Sequence, residues 1–209
     1  SPVQLYHLRK LVEDSGHSAL TVESGEQALD VAADERPEVI LMDIVMPGMN
    51  GFQATRKLTK DPKTASIPVI MITTKDQETD KIWGMRQGAV EYLVKPVDEK
   101  QLVSKINAVM AGCKPEYLPV VLAAVEAACT DEFNMHGLLA TTMPVGPVIV
   151  CSGPGTRAIG MNSGGNALGQ GNRANSTIGR ALQLVIRNVG GGRPGEVDRA
   201  THGSPGKIG

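Results

Sequence analysis

Three side chains of unlike chemistry each close a short apolar run: Asp43 after Val39–Met42, Thr73 at the end of Pro68–Thr73, and Lys95 after Tyr92–Val94. A carboxylate exposed at a sheet edge can attack phosphorus, a hydroxyl can hold a phosphoryl oxygen, and an ammonium can neutralise charge on another. Any one of them alone reads as a solvated loop residue. All three at successive strand ends point to one polar rim built for phosphoryl chemistry. A second cluster lies far downstream, where Gly169-Gln-Gly-Asn172-Arg173 runs into a helical stretch near Ser176. Free amides at a helix N-terminus favour an anion, which makes Asn172, Arg173 and Ser176 a candidate anion-binding set.

The elements that must position the first cluster follow from periodicity. Leu5, Leu8, Leu11 and Val12 recur at helical spacing over Pro2–Asp14, with Ser1 as a candidate cap and Gly16 placed to end the helix. A short strand at Ser18–Val22 and a helix at Gly25–Asp34 ended by Pro37 come next. Val39–Met42 is continuously apolar, as expected of a strand covered on both faces. The remaining expectations are a helix at Phe52–Thr59, a strand at Pro68–Thr73, a helix at Thr79–Gln87, a strand at Tyr92–Val94 and a helix at Asp98–Met110. Alternation of this kind specifies an α/β fold with a doubly wound parallel sheet. In such sheets ligands sit at the carboxyl ends of the strands, which is where Asp43, Thr73 and Lys95 fall.

The text Met42-Asp43-Ile-Val-Met-Pro47-Gly48-Met-Asn-Gly51, then Ile72-Thr73-Thr74, then Tyr92-Leu-Val-Lys95-Pro96 resembles the signature of response-regulator receiver domains. Two longer stretches, Gly51–Thr59 and Thr73–Asp80, are similar to the single-domain regulators of type IV pilus twitching motility, the PilG/PilH kind. The resemblance covers residues 1–112 and implies a flavodoxin/CheY-like architecture in a two-component system, while the scattered cysteines Cys113, Cys129 and Cys151 read as reduced thiols of a cytoplasmic protein. It implies that Asp43 is the phosphoacceptor, charged by a histidine kinase, and that Asp43 and the main-chain carbonyl of Val45 are ligands of Mg²⁺. It also implies that Thr73 moves toward the phosphoryl group with Tyr92 as the aromatic switch, and that Lys95 pairs with that group. The Lys95–Pro96 peptide is expected cis. A downstream motility protein would dock on the face formed by the helix at 79–87, the next strand and the last helix.

One feature of the family is missing from the text. Receiver domains open with a buried central strand ending in an acidic pair, and Ser1-Pro2 falls just past that point. The expectation is a sheet with unpaired edges, at about 1–3 kcal/mol per unsatisfied buried group, and weakened Mg²⁺ binding, because Asp43 alone is a poor octahedral site. A truncated, permuted or chimeric chain would explain it. A replacement strand is another explanation: Pro147-Val-Ile-Val-Cys151 has the right length and β-branched content and is a candidate for the vacant slot.

Composition shifts near Gly112-Cys113-Lys114-Pro115. Residues 1–112 hold 7 of the 24 glycines, 13 of the 21 basic residues and 16 of the 22 acidic ones. Residues 113–209 therefore form a second, Gly-rich α/β segment, with a helix expected over Tyr117–Cys129, another from about Ser176 to Val189, and little core after Gly190. The near-balanced net charge of −1 excludes a nucleic-acid wrapper or a polybasic membrane binder, and no apolar run reaches the length of a membrane span. Cys113, Cys129 and Cys151 are odd in number and widely spaced, which argues against a disulfide or zinc framework. The leading function is thus a phosphoacceptor module and not an enzyme beyond its own phosphorylation and dephosphorylation. The competing readings are a ligand-binding protein or enzyme with an anion site in loop 153–176, and a receiver-like scaffold that is not phosphorylated.

Overall fold

The computed structural model describes residues 2–74 and 78–203. Ser1, residues 75–77 of the Thr73–Asp80 match, and the tail from 204 lie outside the described residues. The chain forms two compact units, Ser1–Asp14 with Ser18–Leu102, and Ser15–His17 with Val103–Gly209.

In the first unit, α1 (Pro2–Asp14) is followed by α2 (Gly25–Glu35), β1 (Ile40–Asp43), α3 (Gly51–Lys60), β2 (Val69–Thr73), α4 (Glu78–Arg86) and β3 (Glu91–Val94). Helix α5 (Glu99–Met110) spans the division at Leu102. Side-chain caps fix the starts of α2 and α3. Ser24 accepts from the Gln27 amide at 3.2 Å, and Asn50 and Gln53 form a reciprocal capping box. Arg36 ends α2 in the left-handed region, just before Pro37.

The three strands make one parallel sheet in the order β1-β2-β3. Strand β2 has a partner on each side, and all five of its residues are buried. Met42 and Val69 pack with Ala28, Ala32, Ala54 and Leu58 of α2 and α3. Met71 on the same strand face packs with Ala89 and Tyr92. Ile70 and Ile72 alternate to the opposite face and are equally buried.

The strand expected at 18–22 does not form: the segment is irregular, and Leu20 is 65% exposed. A strand is stabilised only by a neighbour's ladder, and among the described residues none pairs with this segment. For the same reason β1 is an edge strand, with Ile40 and Leu41 only half-buried.

The second unit contains the latter part of α5, a single 3-10 turn at Pro115–Tyr117, α6 (Leu118–Ala128), α7 (Met135–Ala140), α8 (Pro154–Ala158) and α9 (Arg173–Asn188). Its core joins Ala108 and Ala111 of α5 to Val121 of α6 and to Ala174, Ile178 and Ala181 of α9. Gly16 belongs here: at φ +83°, a Cβ on it would stand 2.5 Å from the Asn188 carbonyl oxygen.

Several expectations for this unit need correction. Residues 147–151 form no strand and so fill no vacant slot. Val148 and Val150 are exposed while Ile149 packs against both apolar clusters of this unit, so alternating burial without a ladder partner explains the β-like pattern. The short helices α7 and α8 were not expected, because six and five residues are too few for an apolar helical spacing to repeat. Helix α9 starts earlier, at Arg173, since Asn172 caps it, and its buried stripe ends at Ile186 with Val189 half exposed. The described residues after Gly190 do pack. Val197 joins the α7–α9 cluster, and Arg199 donates to the Leu139 carbonyl at 2.9 Å.

Candidate functional site

The parallel register brings the first rim together. Asp43 is the last residue of β1 and pairs with Ile72, while Thr73, the last residue of β2, pairs with Val94. The Ile44 amide donates to the Ile72 carbonyl at 3.1 Å, and the Lys95 amide to the Thr73 carbonyl at 2.7 Å. These bonds carry the ladder one residue past β1 and β3, so the three residues follow one another along the carboxyl edge of the sheet, each one position beyond the last.

Lys95 Nζ forms an ion pair with Asp43 Oδ2 and also donates to Gln4 Oε1 of α1 at 3.3 Å. The other carboxylate oxygen, Oδ1, accepts from the Val45 amide at 3.2 Å. Asp43 remains 29% exposed and Lys95 only 11%, so the carboxylate is open to solvent while the ammonium is held against it. Thr73 is buried at 1% exposure. The Lys95–Pro96 peptide is cis. Tyr92 is buried between Met71 and Ala89.

The loop carrying Val45 is tied down from two sides. Gly51, at the start of α3, lies so close beneath Asp43 that a Cβ there would stand 2.1 Å from the Asp43 carbonyl oxygen. Glu26, in the first turn of α2, accepts from the Met49 amide at 3.1 Å. Hydrogen bonding from its own backbone amide, then from Met49 and the Ser24 hydroxyl, holds the Glu26 carboxyl below its usual range. Sequence reasoning passed over Gln4 and Glu26. Glu26 carried a usable signal, an acid in the first turn behind a Ser cap; Gln4 carried none.

The arrangement offers an open carboxylate beside a fixed cation, which suits acceptance of a phosphoryl group. Asp43 would also be the residue to hold Mg²⁺ here. That ion binds through one or two carboxylates with strict octahedral demand; the single carboxylate here is already engaged by Lys95. Among the described residues no group of three or more His, Cys, Asp or Glu stands ready to hold a metal ion.

The second candidate set is differently employed. Asn172 accepts from the Asn175 amide at 2.9 Å and donates to the Gly160 carbonyl at 2.9 Å. Arg173 donates twice to the Gly112 carbonyl, at 3.1 and 2.9 Å. Asn175 is the hub of the loop: its side chain accepts from the Asn162 amide and donates to the carbonyls of Asn162 and Ala167. The Asn- and Gly-rich text thus encodes a network that closes loop 160–172 onto α9. Ser176 lies one turn into that helix.

A parallel α/β sheet with Asp, Thr and Lys at successive strand ends defines a phosphorylation-type signalling module, and the family model of the response regulator receiver domain matches residues 1–107. The chain belongs to that family. It is 60% identical over 112 residues to "Protein PilH" of Pseudomonas aeruginosa, a match covering 54% of this chain and 93% of that protein. It is 38% identical over 104 residues to the phosphate regulon transcriptional regulatory protein PhoB of the same organism, covering 50% of this chain but only 45% of PhoB. Among solved structures, the receiver domain of a signal transduction histidine kinase from Syntrophus aciditrophicus superposes with a TM-score of 0.50 at 30% identity, covering 55% of this chain and 87% of that one. The receiver domain of sensor histidine kinase PA1611 from Pseudomonas aeruginosa, solved with magnesium coordinated in its active site cleft, gives 0.50 at 25% identity, covering 53% of this chain and 90% of that one. The chain is accordingly a receiver of two-component signalling, a regulator class. No described helix is long and apolar enough to cross a membrane.

Proposed function

We propose that Asp43 is the phosphoacceptor of this receiver, that a histidine kinase supplies the phosphoryl group, and that the output is control of pilus-based motility through a downstream partner. The observation that carries the assignment of Asp43 is its geometry: a part-exposed carboxylate at the end of β1, ion-paired with Lys95 and flanked by Thr73 on the adjacent strand. One Asp43 oxygen attacks phosphorus and the leaving group departs on the opposite side, forming an acyl phosphate. Lys95 then exchanges its contact with the carboxylate for one with a phosphoryl oxygen, keeping the added charge compensated. Thr73 holds a second phosphoryl oxygen. Tyr92, already buried with Met71 and Ala89, repacks as Thr73 engages, so that a local change in charge biases a two-state surface.

Mg²⁺, drawn to Asp43 and the Val45 carbonyl, binds this chain weakly in our reading, because the Asp43 carboxylate is already paired with Lys95 and the ion demands octahedral geometry. The activity of the receiver part extends to its own phosphorylation and dephosphorylation. The motility output rests on the similarity to PilH.

The test is incubation of the chain with a small phosphodonor, with and without Mg²⁺, read by intact mass. We expect a gain of one phosphoryl group that Asp43→Asn abolishes, with a small dependence on Mg²⁺. A gain that persists in Asp43→Asn would move the acceptor elsewhere, and no gain at all would make the chain a receiver-like scaffold.

A further inference from the structure

Helices α3 and α4 enclose a groove of about 630 Å³ on the first unit, within the range of ligand-binding clefts. Phe52, Arg56 and Lys60 line it from α3, and Trp83 and Arg86 from α4. Its end is pinned where the Thr59 hydroxyl donates to the Gln87 carbonyl at 3.0 Å. There Gly88, at φ +100°, approaches so closely that a Cβ would stand 2.7 Å from Thr59 Cγ2. The groove is therefore built into the packing of the two helices.

Its chemistry is one-sided. Among the described residues its lining contains three cations and no aspartate or glutamate, although residues 1–112 are acidic on balance, with 13 basic and 16 acidic residues. Arg56, Lys60 and Arg86 are all exposed, and none forms an ion pair with the described residues. Beside them stands Trp83, the chain's single tryptophan, 51% exposed, next to the exposed Ile82. An exposed Trp flanked by unpaired Arg is the composition of a binding hot spot, and guanidinium groups recognise carboxylates in a bidentate manner.

We infer that this groove binds an acidic peptide segment of a partner protein, with Arg56, Lys60 and Arg86 taking its carboxylates and Trp83 supporting one of its apolar side chains. The inference does not depend on Asp43, and the groove lies between α3 and α4 and not on the face of α4, β3 and α5 expected from the family.

Trp83 supplies the readout. The full chain is titrated with a synthetic peptide of alternating Glu and Leu, and with its Lys-Leu counterpart, while tryptophan emission is followed. The Glu-Leu peptide is expected to shift Trp83 emission saturably, with affinity that falls as salt is raised, while the Lys-Leu peptide produces no shift. Arg56→Glu and Arg86→Glu, both exposed and without an ion-pair partner among the described residues, should each weaken binding at least tenfold with unchanged circular dichroism. Trp83→Ala, followed by calorimetry, should weaken it as well. Equal binding of the two peptides, or variants that bind like the parent, would overturn the inference. So would a single-stranded oligonucleotide that competes as well as the Glu-Leu peptide, because it would make the site a general polyanion surface.

Discussion

Substituting Gly51 tests whether the close approach beneath Asp43 is a structural requirement. In Gly51→Ala the new Cβ would lie 2.9 Å from both Asp43 C and Ile44 Cα and 2.1 Å from the Asp43 carbonyl oxygen, the last more than an ångström short of ordinary contact at 3.4 Å. Every atom it meets is backbone, so no side chain can swing away. Either α3 retreats, breaking the hydrogen bond that the Gly51 amide donates to the Ile44 carbonyl at 3.0 Å, or the end of β1 moves. Overpacking of this kind costs about 1–3 kcal/mol, and a clash with backbone belongs at the upper end, about 2–3 kcal/mol. At a urea slope of roughly 1–3 kcal/mol/M, the midpoint should fall by about 0.7–3 M. Trp83 is the chain's single tryptophan and lies in the first unit, so its emission follows the unit that carries the substitution. Gly155→Ala, with nothing within 4 Å of its Cβ, is the matched control and should leave that transition in place. A Gly51→Ala midpoint indistinguishable from the control would refute the steric reasoning.

Three further outcomes are expected. Asn175→Ala removes three side-chain hydrogen bonds, worth about 1 kcal/mol each, so hydrogen exchange in loop 160–172 should accelerate while the first unit stays protected. The Glu26 carboxyl is held below its ordinary value of 4.5 by its own backbone amide, with help from Met49. Its contribution is therefore complete above that value and lost as pH falls through the lowered one. The Met49 amide resonance should titrate in that acid range, and Glu26→Gln should abolish the titration. Burial pushes the Cys113 thiol up, against weaker lowering influences from Thr177 and Arg173. Because the thiolate is the reactive form, a disulfide reagent at mildly alkaline pH should modify exposed Cys129 first and Cys113 last, as peptide mapping would report.

Much of the first unit was legible because its signals are local. The spacing Leu5–Leu8–Leu11–Val12 gave α1 with the bounds the structure has. Apolar runs ending in Asp43, Thr73 and Lys95 located three strands and the rim they share, since a parallel sheet places all its carboxyl ends on one side. Local signals also misled. Residues 18–22 and 147–151 carry β-type sequence but form no strand, because a strand exists only when another segment supplies its ladder.

What the sequence by itself determined is the inventory of helices and strand ends in the first unit, and the family to which it belongs, since periodicity and motif spacing are properties of the chain alone. Tertiary structure decided the rest. It set Glu26 and Gly51 against the loop after Asp43, turned Asn175 into the hub of a closed loop, engaged Arg173 at the Gly112 carbonyl, and gathered Arg56, Lys60, Trp83 and Arg86 around one groove. Each of these joins residues distant in the chain or on separate elements, and such contacts are set by how the elements pack, which no local pattern encodes.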